Sequence, residues 1–346
     1  MRWRTAALLL ALATSGPGQA AALDLPALAE RQGICALAVV ALVAGQAQPV
    51  QEVRRCEPER GSAAPAVYMA ASLSKPVFAY AVLKLAAAGG IDLDAPLWPF
   101  LPAEERARPQ PPELQQLTPR QVLMHTTGLP NWAGGPLRFS FAPGSRWQYS
   151  GEGYVLLQRA VQGITGQDLD AFVRAQVFEP LAMQDSAFVS NERIAGRVLP
   201  GRGVDGGAFG PPRITRGNAA ASLHTTAADY ARFVAAVVAD RRLLELLQRQ
   251  PVEVDAALTL SWGLGWGLEG AAAPRWLWQW GNNPGYRAFV MVSSASGDGI
   301  VMLSNSERGM AALPTLMAAL LPGDHPVLRS RYLRAPALPA PESMAP

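Results

Sequence analysis

Strand-forming segments stand at the two ends of this chain and helices fill its middle, and that order restricts the fold more than any other feature. Near the start, Ile34 to Val43 and Val50 to Arg55 read as two strands of a hairpin turning near Ala44-Gly45-Gln46-Ala47. Near the end, Arg275 to Trp280, Arg287 to Ser293 and Ile300 to Ser304 read as three more. Between them the spacing predicts helices from Ser72 to a Gly89-Gly90 stop, over Thr118 to Met124, Tyr154 to Gly163, Asp168 to Phe178, and Thr226 to Leu247. In the last of these, Tyr230, Phe233, Val234 and Val237 share one face. Met310 to Leu321 is a final amphipathic helix, and 191–216 is a Gly- and Pro-rich loop. Strands do not alternate with helices, which excludes a doubly wound parallel sheet. The expected fold is α+β, an α/β sandwich. One antiparallel sheet forms from the N- and C-terminal strands, is flanked by helices and carries an inserted mainly helical domain. Residues 23–70 and 262–325 make the sheet domain, 71–261 the helical one, and 326–346 a Pro/Ala-rich tail with little structure.

Residues 1–22 read as a signal peptide: Arg2 and Arg4, an apolar run from Ala6 to Ala13, then small residues around Ala20 and Ala22 where cleavage is expected. The mature chain is then exported, periplasmic or secreted, with no further run long enough to span a membrane. Removing two arginines leaves it nearly neutral, so the basic pI of 9.1 does not point to nucleic acid. A turn centred between Gly45 and Gln46 sets Cys35 directly opposite Cys56. The pair is then either a disulfide or two buried thiols, and an oxidising compartment favours the bond.

The chemistry starts at Ser72-Leu73-Ser74-Lys75. A serine hydroxyl needs a base, and residue i+3 of a helix lies on the same face as residue i. The apolar stretch Pro76 to Leu83 would bury Lys75, lower its pKa and free its neutral form. Tyr149, in Tyr149-Ser150-Gly151, is a phenol that a nearby cationic lysine would ionise, suited to proton relay. At the end of a strand, Gln279-Trp280-Gly281-Asn282 offers a close backbone approach at Gly281 and an Asn282 N–H that, with the Ser72 N–H, makes two oxyanion donors. Trp262, Trp266, Trp276, Trp278 and Trp280 are candidates to line an acyl pocket, and Arg287 is an exposed strand residue or a cation near the cleft. His125 and His224 are structural hydrogen-bonders, because no Gly-x-Ser-x-Gly elbow exists for a triad. Three scattered His and two Cys lack metal-ligand spacing. Neither a metal nor a cofactor is expected.

Ser-x-x-Lys, then Tyr-Ser-x, then x-x-Gly on a strand resembles the serine β-lactamase and penicillin-binding-protein-like superfamily, closest to class C β-lactamases and the related esterase/D-aminopeptidase branch. Segments 70–78, 125–130, 149–154, 218–226 and 262–267 extend the likeness over most of the mature chain. The resemblance implies a β-lactamase/transpeptidase-like fold with the site between a sheet domain and a helical domain. It implies Ser72 as acylated nucleophile, Lys75 and Tyr149 as proton-transfer partners, and Asn282 N–H in the oxyanion hole. It places Gly151, Gln279, Trp280 and Gly281 against the substrate. The family's second motif usually ends in Asn and its third begins with Lys or His; Gly151 and Gln279 stand there instead. The substrate expected is a small ester, amide or peptide. The alternatives are a class C-type β-lactamase, a D-Ala carboxypeptidase, and an inactive protein that binds cell-wall peptide. Oligomeric state is not encoded in these features.

Overall fold

The computed structural model describes residues 23–56, 64–210 and 213–334; the signal-peptide segment 1–22 lies outside them. The strands are β1 (Ala36–Val43), β2 (Gln46–Ala47), β3 (Gln51–Arg54), β4 (Tyr68–Met69), β5 (His224–Thr225), β6 (Val252–Asp255), β7 (Leu260–Trp262), β8 (Gly267–Glu269), β9 (Trp276–Asn283), β10 (Tyr286–Ser293) and β11 (Gly299–Ser304). The helices are α1 (Leu25–Arg31), α2 (Ser74–Ala87), α3 (Ala103–Arg106), α4 (Pro119–Leu123), α5 (Gly151–Thr165), α6 (Leu169–Val173), α7 (Glu192–Ala195), α8 (Ala227–Ala239), α9 (Arg241–Gln248), α10 (Leu313–Leu320) and α11 (Arg331–Arg334). Among the described residues, no helix is long and apolar enough to cross a membrane.

The terminal strands join in one antiparallel sheet, in the order β2-β1-β11-β10-β9-β8-β7-β6, with β3 also paired to β1. The α+β expectation therefore holds. The period-2 alternation of the strands sorts side chains onto two faces. Val39, Met302, Phe289 and Trp280 form one cross-strand row, on the face covered by α1 and α10. Ala38, Leu303, Ala288 and Gly281 form the neighbouring row on the other face. That row is small at its β9 end, and the segment leading into α2 lies upon it.

Helix α8 covers the same face of β1 and β11, burying Tyr230, Val234 and Val237 against Ala38, Val40 and Leu303. The 71–261 segment, expected to be mainly helical, thus also contributes to the sheet layer. Its helix α8 belongs to the sheet layer, and two short strands, β6 and β7, extend the sheet from 252 onward. The helix expected over Thr226 to Leu247 breaks at Asp240, which leaves helical geometry and caps α9 through Leu243 N–H. The first part of the expected Pro/Ala-rich tail carries helical turns. Residues 326–334 form a 3-10 turn and α11, held because Val327 N–H donates to buried Glu269. Residues 335–346 lie outside the described part.

Cys35 and Cys56 are joined, with Cα atoms 5.0 Å apart. The register differs from the symmetric hairpin by one residue, since Ala36 faces Arg54 and Arg55 N–H donates to the Cys35 carbonyl. Leu42 faces Ala47 while Val39 faces Gln51, so one extra residue enters the second arm between β2 and β3. Pro49 sits in that insertion, where a missing N–H costs no ladder bond.

Candidate active site

Ser72 lies in a 3-10 turn, Ala71–Leu73, that leads directly into α2. The turn is held from several sides. Ser74 Oγ donates to the Ala71 carbonyl and accepts from Leu223 N–H, and Tyr230 OH donates to the Leu73 carbonyl. Ala71 is driven to φ +50°, a left-handed conformation that costs a non-glycine residue about 1 kcal/mol. Gly281 shows why the turn can sit so close to β9. A Cβ there would stand 2.4 Å from the Ala70 carbonyl oxygen and 3.2 Å from Ala71 Cβ, so only glycine fits.

Lys75 is fully buried, with Nζ 3.0 Å from Ser72 Oγ and 2.8 Å from the Ala220 carbonyl oxygen. Burial pushes its pKa well below the usual lysine value. The Tyr149 ring beneath Nζ, at 4.6 Å, favours the cation, but desolvation outweighs it. The expectation that Lys75 would ionise Tyr149 is reversed by the same cause. Burial pushes the phenol up, and hydrogen bonds with Ser72 and Gln279 only partly offset this. Both groups are therefore driven toward their neutral forms: a free amine beside Ser72 and a protonated phenol.

Tyr149 stands against an aromatic wall. Its ring lies 4.3 Å from His125, 4.7 Å from Trp280 and 5.8 Å from Trp262. Trp278 stacks behind Trp280 at 5.6 Å. Two of the five tryptophans singled out in the sequence lie elsewhere: Trp266 stacks on Phe233, and Trp276 meets His325 edge-on. His125 is structural, as expected. Its Nδ1 accepts from Ser150 N–H, and burial and the Lys75 charge push its pKa down. His224 is buried in β5, which pushes it down to about 4.

Gln279, expected against the substrate, is tied to the nucleophile turn and to Tyr149. It is fully buried, and its Nε2 donates to the Ser72 carbonyl and to Tyr149 OH, each at 3.0 Å. A neutral amide suits this place because it needs no counter-charge in a buried setting. Arg287 is buried rather than exposed, with one guanidinium nitrogen donating to the Asn283 and Tyr286 carbonyls. It turns into the β9–β10 hairpin end. Gly151 opens α5 behind the Ser150 cap, and its N–H donates to Asn131.

Asn282 follows Gly281 on a stretch of β9 that β8 does not reach, since β8 pairs only with Trp276 to Trp278. The two-residue turn Pro284-Gly285 makes Asn283 and Tyr286 the pair flanking it. Such a pair exchanges the ladder hydrogen bonds, and alternation then directs Asn282 N–H away from β10. Three neighbours of the site were given no role by the sequence: the Ala220 carbonyl, the indole of Trp132 beside Gly151, and Tyr332, whose ring lies 5.4 Å from Trp280. The first lies in segment 218–226, whose motif order marked it without indicating a role.

Residues 27–321 match the family described as Beta-lactamase. Esterase EstB of Burkholderia gladioli is 35% identical over 202 residues, which are 48% of this chain and 50% of that protein. Penicillin-binding protein 4* of Bacillus subtilis is 23% identical over 286 residues, 69% of this chain and 60% of that protein. The chain thus spans about half to three fifths of these relatives' lengths. A β-lactamase/D-alanine carboxypeptidase from Yersinia pestis superposes with a TM-score of 0.67 at 19% identity, covering 85% of this chain and 95% of that one.

Proposed function

Because the chain belongs to the Beta-lactamase family, we propose that it is a serine hydrolase that cleaves ester or amide bonds through an acyl-enzyme on Ser72. The observation that carries this reading is the 3.0 Å contact between Ser72 Oγ and a buried Lys75 whose neutral form is favoured. In that form Lys75 keeps an N–H on the Ala220 carbonyl and turns its lone pair to the serine proton.

Ser72 Oγ attacks the substrate carbonyl carbon as its proton passes to Lys75 Nζ. The carbonyl oxygen becomes an oxyanion received by the Ser72 and Asn282 N–H groups. Collapse breaks the bond to the leaving group, which takes a proton relayed from Lys75 through the Tyr149 phenol. Water then enters by the reverse path, forming the carboxylic acid and restoring Ser72. Lys75 acts as base and Tyr149 as the neutral relay, since burial disfavours the tyrosinate.

Small uncharged esters are the favoured substrates. Gln279 is neutral and occupied by Ser72 and Tyr149, and Arg287 is engaged by hairpin carbonyls, so neither offers the cation that a β-lactam or D-Ala carboxylate would seek. Export through residues 1–22 fits the Cys35–Cys56 bond, which belongs to an oxidising compartment.

The test is intact-protein mass spectrometry with a fluorophosphonate, alongside hydrolysis of short p-nitrophenyl esters and a chromogenic cephalosporin. Wild type should gain one label, Ser72→Ala none, and ester turnover should exceed cephalosporin turnover. Equal labelling of both proteins ends the Ser72 reading. Efficient cephalosporin hydrolysis makes the protein a β-lactamase, and D-Ala release from cell-wall peptides makes it a carboxypeptidase. An unlabelled wild type that still binds such peptides is the inactive binder.

A further inference from the structure

We propose that Trp132 selects the acyl group, resting on the Ser72 reading above: its indole is an apolar floor for aliphatic or aryl acyl chains and leaves no amide partner for acylamino ones. The inference begins at Gly151, where a Cβ would stand 2.7 Å from two ring carbons of Trp132. The indole thus occupies the volume into which any side chain at 151 would project, including the amide that the second motif usually carries.

The ring is held there from both of its chain neighbours. Asn131 accepts from Gly151 N–H through both its backbone and side-chain oxygens, at 3.1 and 3.0 Å, and from Glu152 N–H at 3.1 Å. On the other side, Ala133 N–H donates to Glu152 Oε1 at 2.9 Å. Clamped to the start of α5 before and behind, Trp132 is preorganised rather than loosely draped.

Trp132 also packs against the small cluster formed by Met69, Ile214, Ala221 and Tyr286. Met69 lies three residues before Ser72, and Ala221 follows the residue whose carbonyl holds Lys75. The indole thus packs on a cluster drawn from the two segments that meet at the nucleophile, and it remains partly exposed. An aromatic face there offers dispersion and stacking to an apolar acyl chain but no acceptor or amide dipole. A substrate bearing an acylamino group would bury polar atoms against it without partners.

Trp132→Ala, Trp132→Leu and Trp132→Phe would be compared with wild type on p-nitrophenyl acetate, hexanoate and phenylacetate. In the alanine variant the specificity constants for hexanoate and phenylacetate should each fall about tenfold relative to that for acetate. The phenylalanine variant should keep most of the wild-type preference. The leucine variant should lose it for phenylacetate more than for hexanoate. If the alanine variant does not fold, the leucine and phenylalanine variants decide alone. Ratios unchanged across folded variants that still label at Ser72 overturn the role of Trp132 and leave the acyl-enzyme intact. Hydrolysis persisting in Ser72→Ala overturns the reading on which it rests.

Discussion

The amide nitrogen of Gln279 lies 3.0 Å from the phenol oxygen of Tyr149 and donates a hydrogen bond to it. The same nitrogen donates to the Ser72 carbonyl, so one side chain from the sheet ties the relay residue to the nucleophile turn. Gln279→Leu conserves volume and removes both donors. Each lost neutral hydrogen bond is worth about 1 kcal/mol, so kcat should fall roughly tenfold to a hundredfold. Labelling should still occur at Ser72, only more slowly. A variant with wild-type kcat would show that Gln279 is packing alone.

Lys75→Ala and Tyr149→Phe should each lower turnover by roughly two to four orders of magnitude, the range for losing a proton-transfer group. The pH dependence follows from the shifts. Lys75 must be neutral to accept the serine proton, and its pKa lies well below the usual lysine value. Activity should therefore rise with pH through that lowered pKa and be fully present below the ordinary lysine pKa of 10.5. A pre-steady-state acylation profile measures this. A rate that begins to climb only near the ordinary lysine value would contradict a buried neutral amine.

Thiol counting under denaturing conditions on protein made in an oxidising host should find no free cysteine, given the pairing of Cys35 and Cys56 across 21 residues. Closing a loop of that size is worth roughly 3 kcal/mol in chain entropy, so Cys35→Ser should lower the unfolding midpoint. Two titratable thiols in folded protein would place the cysteines apart.

Glu269 and His325 form a buried pair that anchors the last described segment. His325 Nδ1 lies 3.0 Å from Glu269 Oε1, and Nε2 lies 3.0 Å from the Leu321 carbonyl. Two acceptors on one ring call for a doubly protonated imidazole, and the hydrogen bond to Glu269 raises its pKa above 6.5. A raised histidine pKa contributes stability that is fully present below the unfolded value and is lost as pH rises through the folded one. His325→Gln should therefore cost about 3 kcal/mol near pH 6 by leaving Glu269 buried without its cation. The gap from wild type should shrink at pH 9. A gap independent of pH, in denaturant unfolding at both values, would show a neutral histidine.

How much was legible follows from the range of each interaction. Ser72 and Lys75 stand on one continuous turn and helix, so spacing alone set them side by side. The terminal strands announced themselves by β-branched runs, and Tyr149 and Gly281 by their order along the chain. The capped start of α4 is also local, since Thr118 bonds Gln121 N–H, whereas the break at Asp240 was masked by the apolar pattern running through it. Other features joined residues far apart in sequence. The placement of α8 on the sheet, the inward turn of Arg287, and the conversion of Gln279 from an expected substrate contact into a buried bridge all needed the packed molecule.

The sequence by itself determined which groups exist to do chemistry, because side-chain identity and helical periodicity are local properties. The lowered Lys75 pKa was already expected from its apolar helix, and only the tertiary structure decided that the Tyr149 phenol is pushed up rather than ionised. Desolvation comes from whatever surrounds a group, and the surroundings of Lys75 and Tyr149 are assembled from α2, α5, β9 and the 218–222 segment. It likewise decided that Trp132 fills the space beside Gly151. A glycine in a sequence reports an absent side chain, and what occupies the vacated volume depends on where the rest of the chain packs.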